Sequence, residues 1–325
     1  AGAGKVFFVE EGDILEAARQ AVSNAGFADK AEFFRANSFE LELPEPADVI
    51  VCDHVGYFGF DYGILALLGD AKKRFLKPGG VILPERIDLK LAPVGSDSCR
   101  KIVGQWRDGS VPDEFTWLAS TAANTKHAVQ LAKGDLLADA ATLGNLELGS
   151  DDPPYFSMTA ELECARDGTL DGVAGWFDCR LFGDINMTNS PAANDALQRP
   201  QAFLPIETPV TVSKGDPINV TVMARPPDYI IAWVLELPAT GQSFSHTTFS
   251  GLLRDQETLS RVQPDRVTHL NPRGRALQVV LSLCDGKRSV ADVQEQVLRD
   301  HPDLFPSEQA TKEFVQRTLA RITGE

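Results

Sequence analysis

Apolar positions in the first 86 residues alternate between short continuous runs, typical of buried strands, and helix-like periods. The strand-like runs span residues 5–10, 32–35, 47–52 and 80–83, and the helix-like periods span residues 13–25 and 63–75. Strands alternating with helices in this way predict an α/β fold with a parallel sheet. In open sheets of this class ligands bind beyond the carboxyl ends of the strands, so the loop at residues 53–62 is the expected site of chemistry.

Acidic side chains stand at these predicted strand ends. Glu10 closes the first strand, and Asp53 and Asp61 lie in the loop after residue 52. A carboxylate at the end of a strand in a doubly wound fold often accepts hydrogen bonds from a ribose, although Glu10 could equally be a surface residue that only ends a strand. Asp53 and Asp61 are candidates for holding a substrate group, and the alternative is that they merely solvate the loop.

The pattern changes after residue 86 and again near residue 251. Apolar and polar residues alternate from residue 87, which predicts a β domain with a helical insert. The predicted strands span residues 87–94, 161–165, 172–182, 210–213, 217–224 and 229–237, and the insert is predicted to hold helices at 117–123 and 125–137. Helical periods return near the C-terminus, at residues 274–284, before 299 and at 308–322. We therefore expect three domains, at residues 1–86, 87–250 and 251–325.

Composition narrows the range of partners. The 325 residues carry a net charge of −15. Binding to nucleic-acid phosphates needs clustered Lys and Arg, so nucleic acid is not an expected partner. No apolar run approaches the roughly 20 residues that span a bilayer, and the N-terminal residues do not form a signal peptide. The five cysteines are scattered and have no metal-ligand spacing. The expectation is a cytoplasmic protein with reduced thiols and no metal, nucleic acid or membrane partner.

Four segments resemble the protein arginine methyltransferases. They read KVFFVE (5–10), ELELP (40–44), ADVIVCDHVGYF (47–58) and FLKPGGVILP (75–84). The resemblance implies an S-adenosylmethionine-dependent enzyme with a Rossmann-like domain followed by a β-barrel. It also implies that Glu10 binds the ribose, that Asn37 and Ser38 lie on the adenine side, and that Asp53 and Asp61 hold and polarise the acceptor, where the family binds a substrate guanidinium.

The chain departs from the family pattern in its candidate site. Asp53 is one methylene shorter than the family's first glutamate, and the second glutamate position falls on Tyr62, one residue after Asp61. The family's Thr-His-Trp loop would fall near residues 196–198, which read Ala-Leu-Gln. The glycine-rich loop of the first βα unit has no counterpart, which leaves two expectations: a Rossmann-like domain whose first βα unit is missing from the chain, or an incomplete enzyme. These departures leave the acceptor open.

The C-terminal segment resembles the PqqD-like domains of peptide-modifying pathways. The stretch CDGKRSV (284–290) lies between two predicted helices, with Ser289 as an N-cap. Such winged-helix-like modules bind a leader peptide as an added strand at a sheet edge, whereas a generic helical tail is the alternative.

Three functions are therefore compared. The first is methyl transfer from S-adenosylmethionine to a peptide or protein, with a ribosomally made precursor peptide as the leading substrate. The second is a general protein arginine N-methyltransferase, and the third is a catalytically weak peptide-binding scaffold. In the resembled family an insert near residues 98–149 forms a dimerisation arm, so a homodimer is expected.

Overall fold

The computed structural model describes residues 2–149, 155–253, 255–261 and 263–322. The chain divides into two compact units, residues 1–253 and 254–325, and each has its own hydrophobic core.

The N-terminal part of the first unit consists of two parallel strand pairs, each joined by a helix. The elements are β1 (Val6–Val9), α1 (Ile14–Asn24), β2 (Ala31–Phe34), β3 (Ala47–Val51), α2 (Ile64–Phe75) and β4 (Leu76–Leu83). Strand β1 pairs with β2 and strand β3 pairs with β4, both in parallel, and among the described residues the two pairs form separate sheets. Because a parallel pair needs a crossover connection, usually a helix, this arrangement confirms the α/β prediction.

The loop after β3 is anchored in the core of the first unit. Its apolar residues Val55, Phe58 and Phe60 are buried, and they join the same cluster as Ile64 and Leu68 on one face of α2. Residues four apart lie on the same side of a helix, so this face covers the apolar residues of the loop. Burial of these side chains therefore fixes the loop's position relative to the rest of the unit.

The β domain consists of two antiparallel sheets. The first contains β5 (Arg86–Val94), β6 (His127–Val129), β7 (Ala141–Glu147), β9 (Gly168–Phe182), β10 (Ile185–Thr188) and β11 (Gln201–Val212), in the order β6-β11-β9-β5-β7 with β10 paired to β9. The second contains β8 (Phe156–Glu163), β12 (Pro217–Arg225), β13 (Ile230–Leu237) and β14 (Gln242–Thr247), in the order β14-β13-β12-β8. Three short helices accompany them: α3 (Asp97–Gly104), α4 (Leu118–Ala123) and α5 (Thr248–Gly251).

Both sheets contribute to one core. Leu89 and Phe177 of the first sheet lie in the same buried cluster as Val222 and Trp233 of the second. Strands β12 and β13 alternate buried and more exposed residues, whereas eight consecutive residues of β9 are buried, so the facing sheets together bury these apolar side chains. The described strands do not pair between the two sheets. The expected barrel is therefore a barrel-like domain of two sheets without hydrogen-bonded closure.

The prediction of a helix at residues 125–137 of the insert is wrong. Residues 125–137 form β6 and a short 3-10 turn, because residues 127–129 pair with residues 201–203 of β11. Pairing with the edge of an existing sheet supplies hydrogen-bond partners from β11, whereas an isolated short helix would have to satisfy its backbone groups within itself. Tertiary context therefore overrides the local helical pattern.

The second unit contains α6 (Gln256–Arg261), α7 (Pro272–Ser282), α8 (Val290–Asp300) and α9 (Glu308–Ile322), so the three predicted helices are confirmed. Val280, Val297 and Val315 form its core, and the Ser289 hydroxyl caps α8 by accepting the Asp292 N–H at 3.2 Å. No strand occurs in residues 255–261 and 263–322. The described part of this unit thus offers no sheet edge for strand addition. None of the helices in the described ranges combines the length and apolar character that crossing a bilayer requires.

Candidate functional site

The loop between β3 and α2 is folded around the carboxylate of Asp61. Its Oδ2 accepts the backbone N–H groups of Tyr57 at 2.9 Å and Phe58 at 2.7 Å. This closure requires glycine at position 56, where φ is +61° and an added Cβ would lie 2.2 Å from the Cβ of Asp61. Position 56 therefore needs glycine for two reasons: there is no room for a Cβ, and the backbone is in the left-handed region.

Asp61 also forms an ion pair with a residue of the β domain. The Lys126 ammonium group, at the start of the β6 segment, contacts Oδ1 of Asp61, and the two side chains are only 16% and 5% exposed. The same ammonium group lies 4.3 Å from the ring centroid of Tyr57. Burial raises the pKa of the Tyr57 hydroxyl, and the charge of Lys126 opposes that rise. Both oxygens of Asp61 are thus engaged within the protein.

Asp53 pairs with a second basic residue. Nη2 of Arg199 donates to Oδ2 of Asp53 at 3.0 Å, and Nη1 donates to the Gly56 carbonyl at 3.3 Å. The Asp53 side chain is 82% exposed, so this carboxylate is the one on the loop that solvent reaches freely. The structure brings both predicted acids into one loop but gives them different surroundings.

Sequence reasoning missed Lys126 and Arg199. Arg199 directly follows residues 196–198, near which the resemblance predicts a Thr-His-Trp loop. It is the only Lys or Arg between Arg180 and Lys214, which is a signal that could have identified it. Lys126 lay in a segment predicted as helix, so its contact with the loop depends on the β6–β11 pairing and could not be found from spacing.

The buried side chain of Asn189 joins the acidic loop to the β domain. Its Oδ1 accepts the Phe177 N–H at 3.0 Å, and its Nδ2 donates to the carbonyls of Tyr57 at 2.9 Å and Pro200 at 2.7 Å. Nε2 of Gln201 in turn donates to the Asn189 carbonyl at 2.6 Å. Because buried polar groups are costly unless paired, this network fixes the loop and the Arg199 segment together.

The predicted cofactor residues follow the carboxyl ends of β1 and β2. Oε1 of Glu10 accepts the Gly12 N–H at 2.6 Å, and its side chain is partly exposed. Oδ1 of Asn37 accepts the Phe39 N–H at 3.0 Å and caps a short 3-10 turn. The guanidinium group of Arg74 on α2 donates to the Ser38 carbonyl. Since β1 and β2 are parallel neighbours, these residues lie at the same edge of the sheet.

No group of three or more His, Cys, Asp or Glu side chains in the described ranges is arranged to hold a metal ion. None of the five cysteines forms a disulfide bond.

No protein-family model matches the chain. It is similar to a probable protein arginine N-methyltransferase 6.2 of Oryza sativa subsp. indica, with 27% identity over 204 residues that cover 61% of this chain and 52% of the relative. Protein arginine N-methyltransferase 6 of Xenopus tropicalis is 26% identical over 240 residues, covering 70% of each chain. An arginine N(omega)-methyltransferase of Streptomyces achromogenes subsp. streptozoticus is 27% identical over 221 residues, covering 66% of this chain and 61% of the relative.

Two solved structures share the fold. Protein arginine methyltransferase 10 of Arabidopsis thaliana has a TM-score of 0.63 at 18% identity, covering 76% of this chain and 83% of its own. A Trypanosoma brucei PRMT1 enzyme–prozyme heterotetrameric complex with AdoHcy has a TM-score of 0.66 at 15% identity, covering 76% of this chain and 81% of the matched chain. The chain spans about half the length of the rice relative. Its fold is that of protein arginine methyltransferase structures, with a Rossmann-like part followed by a barrel-like β domain.

Proposed function

We propose that the protein is an S-adenosylmethionine-dependent methyltransferase related to the arginine N-methyltransferases and acting on a peptide or protein. The observation that carries the proposal is the position of Glu10 at the carboxyl end of a parallel strand, with Asn37 and Ser38 at the same sheet edge. Support comes from the relatives named arginine N-methyltransferases and from a structural neighbour in complex with AdoHcy.

The residues at this edge suit such a cofactor. Glu10 uses Oε1 to accept the Gly12 N–H, and its Oε2 is the atom that would accept from ribose hydroxyls. The segment of Asn37 and Ser38 is held against α2 by Arg74, which keeps it in place on the adenine side. The cofactor supplies a methyl group on a positively charged sulfur. The protein's task is then mainly to align acceptor and donor.

The two acids have different roles in this proposal. Asp53 faces the acceptor, because its carboxylate is exposed and only one of its oxygens is hydrogen-bonded to Arg199. Asp61 shapes the loop, because it is buried and binds two backbone N–H groups and Lys126.

The second unit is proposed to deliver the substrate peptide. Its core is separate from that of the first unit, and Leu277 and Leu281 are exposed four residues apart on α7, which presents an apolar strip. The resemblance to PqqD-like domains makes a ribosomally made precursor peptide the proposed substrate. Delivery by an attached unit would raise the effective concentration of the peptide at the site. A homodimer in the cytoplasm completes the proposal, and five unbonded cysteines agree with a reducing compartment.

Calorimetric titration of S-adenosylmethionine tests the cofactor assignment. Glu10→Gln removes the charge that strengthens hydrogen bonds to the ribose, so its affinity should fall about tenfold or more. The matched control Glu11→Gln neutralises the adjacent exposed glutamate and should leave affinity unchanged. Equal affinity of Glu10→Gln and the unchanged protein would refute the role of Glu10.

Mass spectrometry of candidate peptides, after incubation with the protein and S-adenosylmethionine, tests the reaction by locating an added methyl group. Deletion of residues 255–325 should raise KM for the peptide and leave cofactor affinity unchanged. A deletion that also abolishes cofactor binding would contradict the delivery role.

A further inference from the structure

Both acids of the loop are paired with cations of the same chain. Asp61 contacts Lys126 and Asp53 contacts Arg199. The charges of the two carboxylates and the two cations sum to zero, so these four groups give the loop no net negative charge. A loop of two acids alone would attract a cationic acceptor, whereas this balanced arrangement does not.

Asp61 is buried and already bound to three donors, so it is poorly placed to bind a substrate cation. Its Oδ2 accepts two backbone N–H groups and its Oδ1 contacts Lys126, with the carboxylate buried. Withdrawing it would leave those N–H groups and the ammonium unpaired in the interior, which is costly. A guanidinium acceptor could therefore reach only Asp53 on this loop.

Arg199 already provides a guanidinium group at Asp53, and its backbone is firmly held. The Arg199 N–H donates to the Leu197 carbonyl at 2.7 Å, and the Arg199 carbonyl accepts from Nε2 of the buried Gln201 at 3.2 Å. Its side chain is about two-thirds buried, at 32% exposed, and it bridges Asp53 and the Gly56 carbonyl. Carboxylates pair well with guanidinium groups in a planar, two-bond geometry, and Arg199 takes one of the two Asp53 oxygens.

We infer that Arg199 is a specificity-determining residue that makes this site select an acceptor without positive charge, such as an amide or hydroxyl side chain, over arginine. The inference rests on the proposed function, since it concerns the acceptor of that methyl transfer. A substrate arginine at Asp53 would place a second guanidinium group beside Arg199, whereas a neutral polar group can hydrogen-bond to the open oxygen of Asp53 without that repulsion.

Binding of two small probes tests this selection without requiring turnover. N-acetylarginine amide carries the guanidinium group, and N-acetylcitrulline amide is its neutral analogue of the same shape. The affinities of both probes are measured by ligand-observed NMR for the unchanged protein, Arg199→Gln and Arg199→Lys. The control Arg107→Gln breaks a comparable pair with Glu207, whose Nη2–Oε1 distance is 2.6 Å, outside the loop.

The unchanged protein, Arg199→Lys and Arg107→Gln should bind the citrulline probe more tightly than the arginine probe. Arg199→Gln should bind that probe about tenfold more tightly than the unchanged protein does, because Asp53 loses its internal cation. Equal affinities for the two probes, or a preference for arginine, in the unchanged protein would overturn the inference, since Arg199 would then not discriminate against a cationic acceptor. The absence of any gain in a folded Arg199→Gln would overturn it as well.

Failure of the proposed function gives a different result. Titration of S-adenosylmethionine into the same samples reports cofactor binding independently of the two probes. If S-adenosylmethionine does not bind but the citrulline probe is preferred, the proposed methyltransferase function is refuted and the selection against charge stands. If S-adenosylmethionine binds but the arginine probe is preferred, the proposed function stands and the selection against charge is refuted.

Discussion

The ammonium group of Lys126 pairs with the carboxylate of Asp61 across 65 positions of sequence, in the interior of the first unit. The pair joins the acidic loop after β3 to the edge strand β6 of the β domain. Asp61, which the sequence makes a candidate for holding the acceptor, therefore holds two parts of the fold together.

Replacement of Lys126 by Met should destabilise the protein strongly. Met retains much of the side-chain length but leaves the buried Asp61 carboxylate without its cation, and breaking a buried pair in this way costs about 3–5 kcal/mol. Lys133→Met is the control, because Lys133 is exposed, and it should change stability by less than about 0.5 kcal/mol. Urea denaturation measures both, and equal stabilities would contradict an interior role for the pair.

Gly56→Ala should disrupt the acidic loop beyond the ordinary cost of a left-handed alanine. Gly109 also has positive φ, at 83°, but an added Cβ there meets nothing within 4 Å. Both substitutions should cost about 1–2 kcal/mol of backbone strain. Gly56→Ala should cost about 1–3 kcal/mol more, because its Cβ overlaps Asp61. The difference between the two unfolding free energies isolates the overlap, and a difference near zero would show that the loop can open at no cost.

Asn189→Ala should loosen the acidic loop as well as destabilise the fold. The change leaves the Phe177 N–H and the carbonyls of Tyr57 and Pro200 without their side-chain partner, at about 1–3 kcal/mol for each buried group left unpaired. Hydrogen exchange should accelerate at residues 53–62. The control Asn186→Ala alters an exposed asparagine and should not change exchange in the loop. Protection that stays the same in Asn189→Ala would mean that apolar burial alone fixes the loop.

His246 should make stability fall on acidification. Its ring is buried beside Trp233, no hydrogen-bond partner reaches its Nε2 from the described residues, and burial lowers its pKa below the ordinary 6.5, with Glu207 opposing. The unfolded chain therefore binds a proton at a higher pH than the folded chain does. The contribution of the neutral ring to the stability of the protein is fully present above the pKa of the unfolded state. It is lost as the pH falls from about 6.5 towards the lower pKa of the folded state.

Thermal unfolding between pH 8 and pH 5 measures this dependence. His246→Phe should flatten the fall in Tm, because phenylalanine cannot take up the proton. The exposed His301 is the matched control, and His301→Phe should retain the original slope. An identical slope in His246→Phe and the unchanged protein would assign the acid sensitivity to other groups.

Local pattern predicted much of the secondary structure correctly. The helix-like periods at 63–75 and 308–322 correspond to α2 and α9, and the apolar run at 47–52 corresponds to β3. The failure at 125–137 has a clear cause, since residues 127–129 gain partners from β11, about 75 positions later, which no local window contains. The candidate acids were also found from sequence, because their positions after a predicted strand are a local property.

By itself the sequence determined the order of strands and helices, the α/β character of the first segment and the acidic character of its loop, because periodicity and turn residues act over a few positions. Only the tertiary structure decided how each acid is used. Asp61 is buried against Lys126 and Asp53 is paired with Arg199, and both partners come from distant segments. Charge pairing acts through space, so the charge of the site could be read only after the chain had folded.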